Sequence, residues 1–352
     1  MGRDRDAGAT GASPKGRATG GTGKERAPID LLVAGDAVPD LVMGDFSSDI
    51  AFGQADNLVE RGVLTVGGSS TIMACGAARL GLRVAFAGVF GDDTAGHFML
   101  DQLAERGVDV SPSVVLPGRT TAICVHLVKR GAERDRAMIS WRGCDGELEA
   151  GLVRPALRLG ARHLHVGSFY LLPKLAPDLA NLFAEAREAG CTTSLDPQGD
   201  PERRWQGGLR ETLRQTGFFL PNRSGGLAVA KSLGRVSSEA PELTEVLRSL
   251  AALGPVTVIK SAAEGGIALD GDEVIRVASQ KVRPVDTIGA GDSFDAGFVY
   301  GHLQGWTVAQ SLSFAVACGT TSTRAAGGVD GQATVEEALA MSAENDVLRL
   351  AI

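Results

Sequence analysis

The chain has 352 residues and a net charge of −7, with 44% hydrophobic residues, only 5% aromatics and 47 glycines, a balance that suits a globular α/β protein with a Val, Leu and Ala core and Gly-rich turns. No apolar run approaches the ~20 residues needed to cross a bilayer, and the N-terminus has charge without an apolar signal core, so a cytoplasmic protein with no membrane partner is expected. Residues 1–27 carry six Lys or Arg against three acids, a net of +3 that leaves −10 on the remainder, and an acidic body argues against nucleic acid as a partner.

That tail, residues 1–27, lacks apolar periodicity and is expected to be disordered, which makes 28–352 the folded domain. Within it Ala18-Thr-Gly-Gly-Thr-Gly23-Lys24-Glu25 has the look of a Walker A loop. Glu25 stands where a metal-binding Ser or Thr belongs and no strand precedes, so the stretch is set aside.

From residue 28 strands and helices alternate. Ile29 to Ala34 is a short apolar run that ends at Gly35-Asp36, as a buried strand would. Polar residues Ser69 to Thr71 open a helix that stops at Gly81. Arg83 to Val89 reads as the next strand, and Thr94 to Arg106 as a helix closed by Gly107. Later come strands at Leu164–Val166, Thr192–Leu195, Phe218–Leu220 and Val256–Lys260, a helix over about 176–189, and a helical region beyond Asp292. Such alternation predicts a mostly parallel sheet covered on both faces. Two irregular stretches, about 40–66 and 114–141, contain no helix and are expected to build a small antiparallel lid over one end of the sheet.

Five scattered cysteines (Cys75, Cys124, Cys144, Cys191, Cys318) show no C-x-x-C pair and no nearby His at metal-ligand spacing, so neither a disulfide framework nor a zinc site is indicated. His163 and His165 share one face of a strand, with no further ligand cluster at a matching spacing.

Chemistry is concentrated in Val285-Asp-Thr-Ile-Gly-Ala-Gly-Asp-Ser-Phe-Asp-Ala-Gly-Phe298. Gly289 and Gly291 flank a turn that opens a helix, where unpaired N–H groups and the helix dipole favour an anion. A side chain there would keep the backbone away from a phosphate. Asp292 sits beside that anion site, placed to accept a proton from an attacking hydroxyl.

This stretch resembles the C-terminal signature of the ribokinase-like (PfkB-type) carbohydrate kinases, and the resemblance extends over roughly 28–340. Gly35-Asp36 with Asp40 resembles the family's first-strand motif. Gly67-Gly68, with the Ala-rich helix that ends in Arg79-Leu80-Gly81, is similar to its N-terminal signature, and Gly88 to Gly96 to the strand and loop that follow. Asp196-Pro197-Gln198, Pro221-Asn222 and Lys260 to Gly265 are similar to its later elements.

The resemblance implies a three-layer α/β/α sandwich with a β-lid, and an ATP-dependent sugar kinase that uses Mg2+ and admits K+. It implies Asp292 as base, with Gly289, Ala290 and Gly291 as anion hole. Asp36, Asp40, Gly67 and Gly68 would meet the sugar, Asn222, Lys260, Gly265 and Thr287 the nucleotide, and Asp286 a monovalent cation. The adenine would rest between the Gly265 loop and the region from Ala315 to Gly328. Relatives with such a lid form lid-to-lid homodimers, an arrangement open to this chain.

Two departures stand out: Ile72 replaces an Asn usual after the Gly pair, and Gly225 replaces the Glu of N-x-x-E, with Arg223 as a nearby cation. Ile72 is expected to leave a polar sugar contact missing. Ser69 stands where relatives that act on sugar phosphates carry Lys, which favours an unphosphorylated acceptor. A nucleoside kinase, or a sensing protein that kept the fold without efficient catalysis, are the alternatives.

Overall fold

Leu31–Ala34 is apolar and buried at every position, the pattern of a strand covered on both faces. In the computed structural model, which describes residues 28–46, 50–129, 136–238 and 240–351, it is β1, near one side of a large sheet. The expected disordered tail and its Walker-like stretch lie outside the described residues.

The other strands are β2 Val38–Phe46, β3 Arg61–Gly67, β4 Val84–Ala87, β5 Val89–Gly91, β6 Val108–Asp109, β7 Val114–Leu116, β8 Ile123–Lys129, β9 Arg136–Trp141, β10 His163–Val166, β11 Thr192–Leu195, β12 Phe218–Phe219, β13 Val256–Lys260, β14 Gly266–Asp270, β15 Glu273–Val277 and β16 Val347–Ala351. The α-helices are α1 Ser69–Arg79, α2 Thr94–Glu105, α3 Ala150–Val153, α4 Leu179–Glu188, α5 Leu209–Gln215, α6 Arg223–Ser232, α7 Leu243–Ala251, α8 Ala290–Leu303, α9 Val308–Ser322 and α10 Val335–Ser342.

Ten strands form the main sheet in the order β16-β15-β14-β13-β12-β11-β10-β1-β4-β6. It is parallel from β13 to β6 and antiparallel from β13 to β16. Alternate residues of β1 serve opposite cores. Leu32 and Ala34 join the layer built with α4 to α7, while Leu31 and Val33 join the layer built with α1, α2 and α8 to α10. This is the expected α/β/α sandwich.

From β1 the chain runs to β4 and β6 on one side and returns to β10 on the other. Such a reversal leaves a crevice at the carboxyl ends of the strands. Over that edge lies a four-stranded lid in the order β3-β2-β8-β9.

The lid departs from expectation in two ways. Residues 114–116 are not part of it, because β7 pairs with β5 in a separate two-stranded sheet. Nor is it purely antiparallel: β2 and β8 belong to two separate excursions from the body and run parallel. The expected helical region beyond Asp292 is α8 to α10, and past it Val347–Ala351 pairs with β15 and extends the sheet edge.

Candidate active site

Several strands of the sheet deliver a polar residue to the crevice immediately past their carboxyl ends. Asp36 follows β1, Asp196 and Gln198 follow β11, Asn222 follows β12, and Lys260 ends β13. Helix α8 begins opposite them, its N-cap Gly289 in the left-handed region at φ 71° with no side chain capping the helix. A Cβ on Gly289 would lie 2.7 Å from Gly328 Cα, so backbone angle and space both require glycine. The first turn, Gly289 to Asp292, opens onto a cleft of about 1030 Å³; its Ala290 amide makes a long 3.4 Å bond to the Thr287 carbonyl, and its remaining amides and the dipole favour an anion.

Asp292 stands in that first turn, 7% exposed. Its Oδ1 accepts the Ser69 hydroxyl at 2.6 Å and the Gln198 side-chain amide at 3.0 Å. Burial pushes its pKa up to about 7, against the pull of the Lys260 charge and the Ser69 hydroxyl. A carboxylate so tuned is matched to taking a proton near neutral pH. Gln198 also donates to Asp196 at 2.8 Å and to the Ser69 oxygen at 2.7 Å. It holds this position from a left-handed backbone, φ 53°.

Beneath the base lies a buried ion cluster. Lys260 Nζ is 2.6 Å from Asp196 and 2.8 Å from Asp295, the latter one turn beyond Asp292 on α8. Burial disfavours the ammonium, but the two carboxyls outweigh it and raise the Lys260 pKa. Burial likewise opposes the Asp196 charge, and Lys260 holds that group below the ordinary range. Asp295, chiefly through burial, lies well above it. The Lys260 ammonium thus sits between two buried carboxyls and ties α8 to the end of β11 from within.

On the acceptor side, both Asp36 oxygens accept backbone amides, from Ser69 and Ser70 at 3.0 Å each, so Asp36 anchors the start of α1. Asp40, on the lid, packs over Gly67, where a Cβ would lie 2.0 Å from the Asp40 Cγ. Gly68 is the N-cap of α1. Asp40 Oδ2 is 3.1 Å from His126 Nε2. Burial disfavours the His126 charge, but the Asp40 carboxyl and Cys124 sulfur bonded to the ring lift its pKa to about 9. Burial raises the Asp40 pKa, and His126 opposes that rise.

On the nucleotide side, Asn222 caps α6 by accepting the Gly225 amide at 2.8 Å. Asn222, Gly265 and Thr287 line the cleft. Lys260 lines it too, with its ammonium turned inward to Asp196 and Asp295. Arg223 pairs with Glu264 at 3.0 Å at the exposed rim. The Asp286 oxygens accept the Ile288 amide at 3.0 Å and the Gly327 amide at 3.1 Å, tying two loops together.

Ile72 is 3% exposed and packs against Gly289 and Gly328. Ile72 therefore supplies a packing contact under the anion turn and no polar group to the acceptor side. His163 and His165 are buried and bonded to Thr192 and Ser194 of β11. Burial pulls the His163 pKa well down and that of His165 to about 4, leaving neutral core residues.

Sequence reasoning passed over Ser69 and Gln198 as contacts of the base, and Asp295 as the second acid on Lys260. A lone Lys closing an apolar strand, and a second Asp at i+3 in an otherwise apolar helix, were the available signals. Cys124-x-His126 was likewise readable as two side chains on one strand face.

A model of the pfkB family carbohydrate kinases matches residues 30–334. A fructokinase of Rhizobium leguminosarum bv. trifolii is 26% identical over 286 residues, 76% of this chain and 78% of its own length. A 2-dehydro-3-deoxygluconokinase of Bacillus subtilis is 28% identical over 284 residues, 77% of this chain and 84% of its own length. Among solved structures, an E. coli protein in complex with ATP and Mg2+ superposes with a TM-score of 0.75 at 20% identity, over 89% of this chain and 98% of that one.

Proposed function

This chain belongs to the pfkB family of carbohydrate kinases, and on that premise we propose that it moves the terminal phosphate of ATP to a hydroxyl of a small sugar or sugar acid, with Asp292 as the base. The observation that carries this reading is Asp292 itself, a buried carboxyl of pKa about 7 in the first turn of an uncapped helix at the cleft floor.

The acceptor hydroxyl enters where Ser69 and Gln198 now bond to Oδ1, and Asp292 takes its proton. Amides of Gly289 to Gly291 face the charge that develops on the phosphoryl oxygens, each aligned donor being worth about 3 kcal/mol. Asp40, Gly67 and Gly68 border the acceptor, with Asp36 holding the start of α1 in place. Asn222, Gly265 and Thr287 border the nucleotide.

Mg2+ supplies charge neutralisation at the phosphates when bound, keeps several of its waters and needs few protein carboxylates. This site suits such an ion: position 225 offers no carboxylate, and Asp196 and Asp295 are already committed to Lys260. Each Asp286 oxygen accepts one amide and keeps a further lone pair, which leaves Asp286 able to serve as a ligand of a monovalent cation such as K+.

Relatives named for a neutral sugar and for a sugar acid bracket the acceptor class. ADP release measured over monosaccharides, sugar acids and nucleosides tests the proposal. Turnover with a sugar or sugar acid supports it, turnover with nucleosides alone favours the nucleoside kinase, and silence despite ATP binding favours the sensing protein.

The outer face of the lid supports a homodimer. Leu64, Ile139 and Trp141 are 54%, 61% and 54% exposed, and Leu41, Ile123 and Val125 share that face. Light scattering on Trp141→Lys and the wild type tests this, a dimer lost in the variant being the expected result.

A further inference from the structure

A second set of chemistry-bearing side chains lies on the inner face of the lid. Asp40 of β2 pairs in register with Cys124 of β8, which pairs with Ser140 of β9. His126, two residues on, faces the same way. Elsewhere on this face stand Val42 and Val128, packed with Ile288. A carboxyl, a thiol and an imidazole, 3%, 8% and 5% exposed, are therefore gathered on one buried face.

We propose that Asp40, Cys124 and His126 form a three-ligand site for Zn2+ or a divalent ion of similar softness, with the fourth position open. Their ligand atoms all lie within 4.8 Å of one another. His126 Nε2 is 3.1 Å from Asp40 Oδ2 and 3.5 Å from Cys124 Sγ. Ordinary zinc bond lengths in a tetrahedron place such N and O ligands about 3.4 Å apart and N and S about 3.6 Å apart. Those two distances, both measured from His126 Nε2, therefore need adjustment of only a few tenths of an ångström.

The donor set is also chemically apt. Thiolate and imidazole select zinc over magnesium or calcium, and three mixed protein ligands with a free position characterise zinc sites that also bind a water or a substrate oxygen. Ser140 donates its hydroxyl to Cys124 Sγ at 3.2 Å, the outer hydrogen bond that steadies a ligating sulfur. His126 Nε2 faces both Sγ and Oδ2; its Nδ1 has no hydrogen-bond partner among the described residues, so the outer bond usual for a ligating imidazole is not supplied by them. No ligand spacing in the sequence reveals the trio, because β2 and β8 meet only in the folded lid.

Asp40 also belongs to the acceptor side in the kinase reading, so the test measures the metal directly and stands apart from activity. Untagged full-length protein, stripped with chelator, is titrated with Zn2+ by calorimetry and with Co2+ by absorption. One equivalent of each is expected, with a sulfur-to-cobalt charge-transfer band. Cys124→Ser should abolish that band and weaken zinc binding by about 100-fold or more, His126→Gln should weaken it comparably, and Ser140→Ala by about 10-fold. Circular dichroism confirms that each variant folds, and the wild-type cobalt band needs no variant. Failure to bind a stoichiometric ion, bound cobalt without the sulfur band, or zinc binding that survives both lid variants and is lost in Asp295→Asn would each overturn the proposal. The last result would place the ion at the Asp196, Asp292 and Asp295 carboxylates.

Discussion

Replacing Lys260 with Met removes an ammonium 2.6 Å from Asp196 and 2.8 Å from Asp295 while keeping an unbranched stem of similar volume. Deleting one member of a buried ion pair costs about 3–5 kcal/mol, because the remaining charge is left uncompensated. The sign of the pH dependence follows from Asp196. In the wild type Lys260 holds its pKa below the unfolded value, so its contribution is present above that value and is lost only in acid. Without Lys260, burial is opposed only by the weaker hydrogen bonds from Asp295 and Gln198, and the folded-state pKa is expected to rise above the unfolded ~3.9. The folded variant then binds more protons than its unfolded chain, and its stability falls as pH rises between the two values.

Urea unfolding of both proteins at about pH 8 should therefore show a deficit of about 3–5 kcal/mol, shrinking by at least about 1 kcal/mol at about pH 5.5. Lys260 also lowers the Asp292 pKa, so the acid limb of the variant's rate profile should move to higher pH. A deficit below about 1 kcal/mol, or one equal at both pH values, refutes the buried ion cluster as described.

In the wild type, kcat/KM should rise with pH and level off above about 7, the value burial gives Asp292; a profile flat from pH 5 to 8 contradicts a base of this kind. Ser69→Ala removes a donor that lowers the Asp292 pKa and should shift that limb upward with the fold intact, as a rate profile and a melting curve would show. Gly289→Ala places a Cβ 2.7 Å from Gly328 Cα at φ 71°; about 1–2 kcal/mol of strain and at least about tenfold lower kcat are expected in denaturation and steady-state assays.

The sheet was legible because its strands are short apolar runs punctuated by glycine, and Leu31–Ala34, Thr192–Leu195 and Val256–Lys260 fell where the alternation placed them. The phosphate end was legible because Gly289 to Asp292 is contiguous, so spacing alone carries its geometry. The Lys260 cluster and the lid trio were not legible. Asp196, Lys260 and Asp295 come from three separate elements, and Asp40 meets His126 only after β2 and β8 pair in parallel. Val114–Leu116 misled for a related reason: its own residues suit any strand, and only the fold decides that it pairs with β5. The motif position of Ile72 indicated a missing polar group, while its packing on the Gly289 turn, a contact between distant segments, was not legible.

The account turns on Asp292 as the group that accepts the acceptor's proton. Single-turnover phosphoryl transfer by Asp292→Asn, at about pH 8 with the best acceptor from the panel and with ATP binding measured in parallel, tests this most directly. A fall of about 10²–10⁴-fold in rate with ATP affinity retained is predicted; a rate within about threefold of the wild type would remove Asp292 from that role.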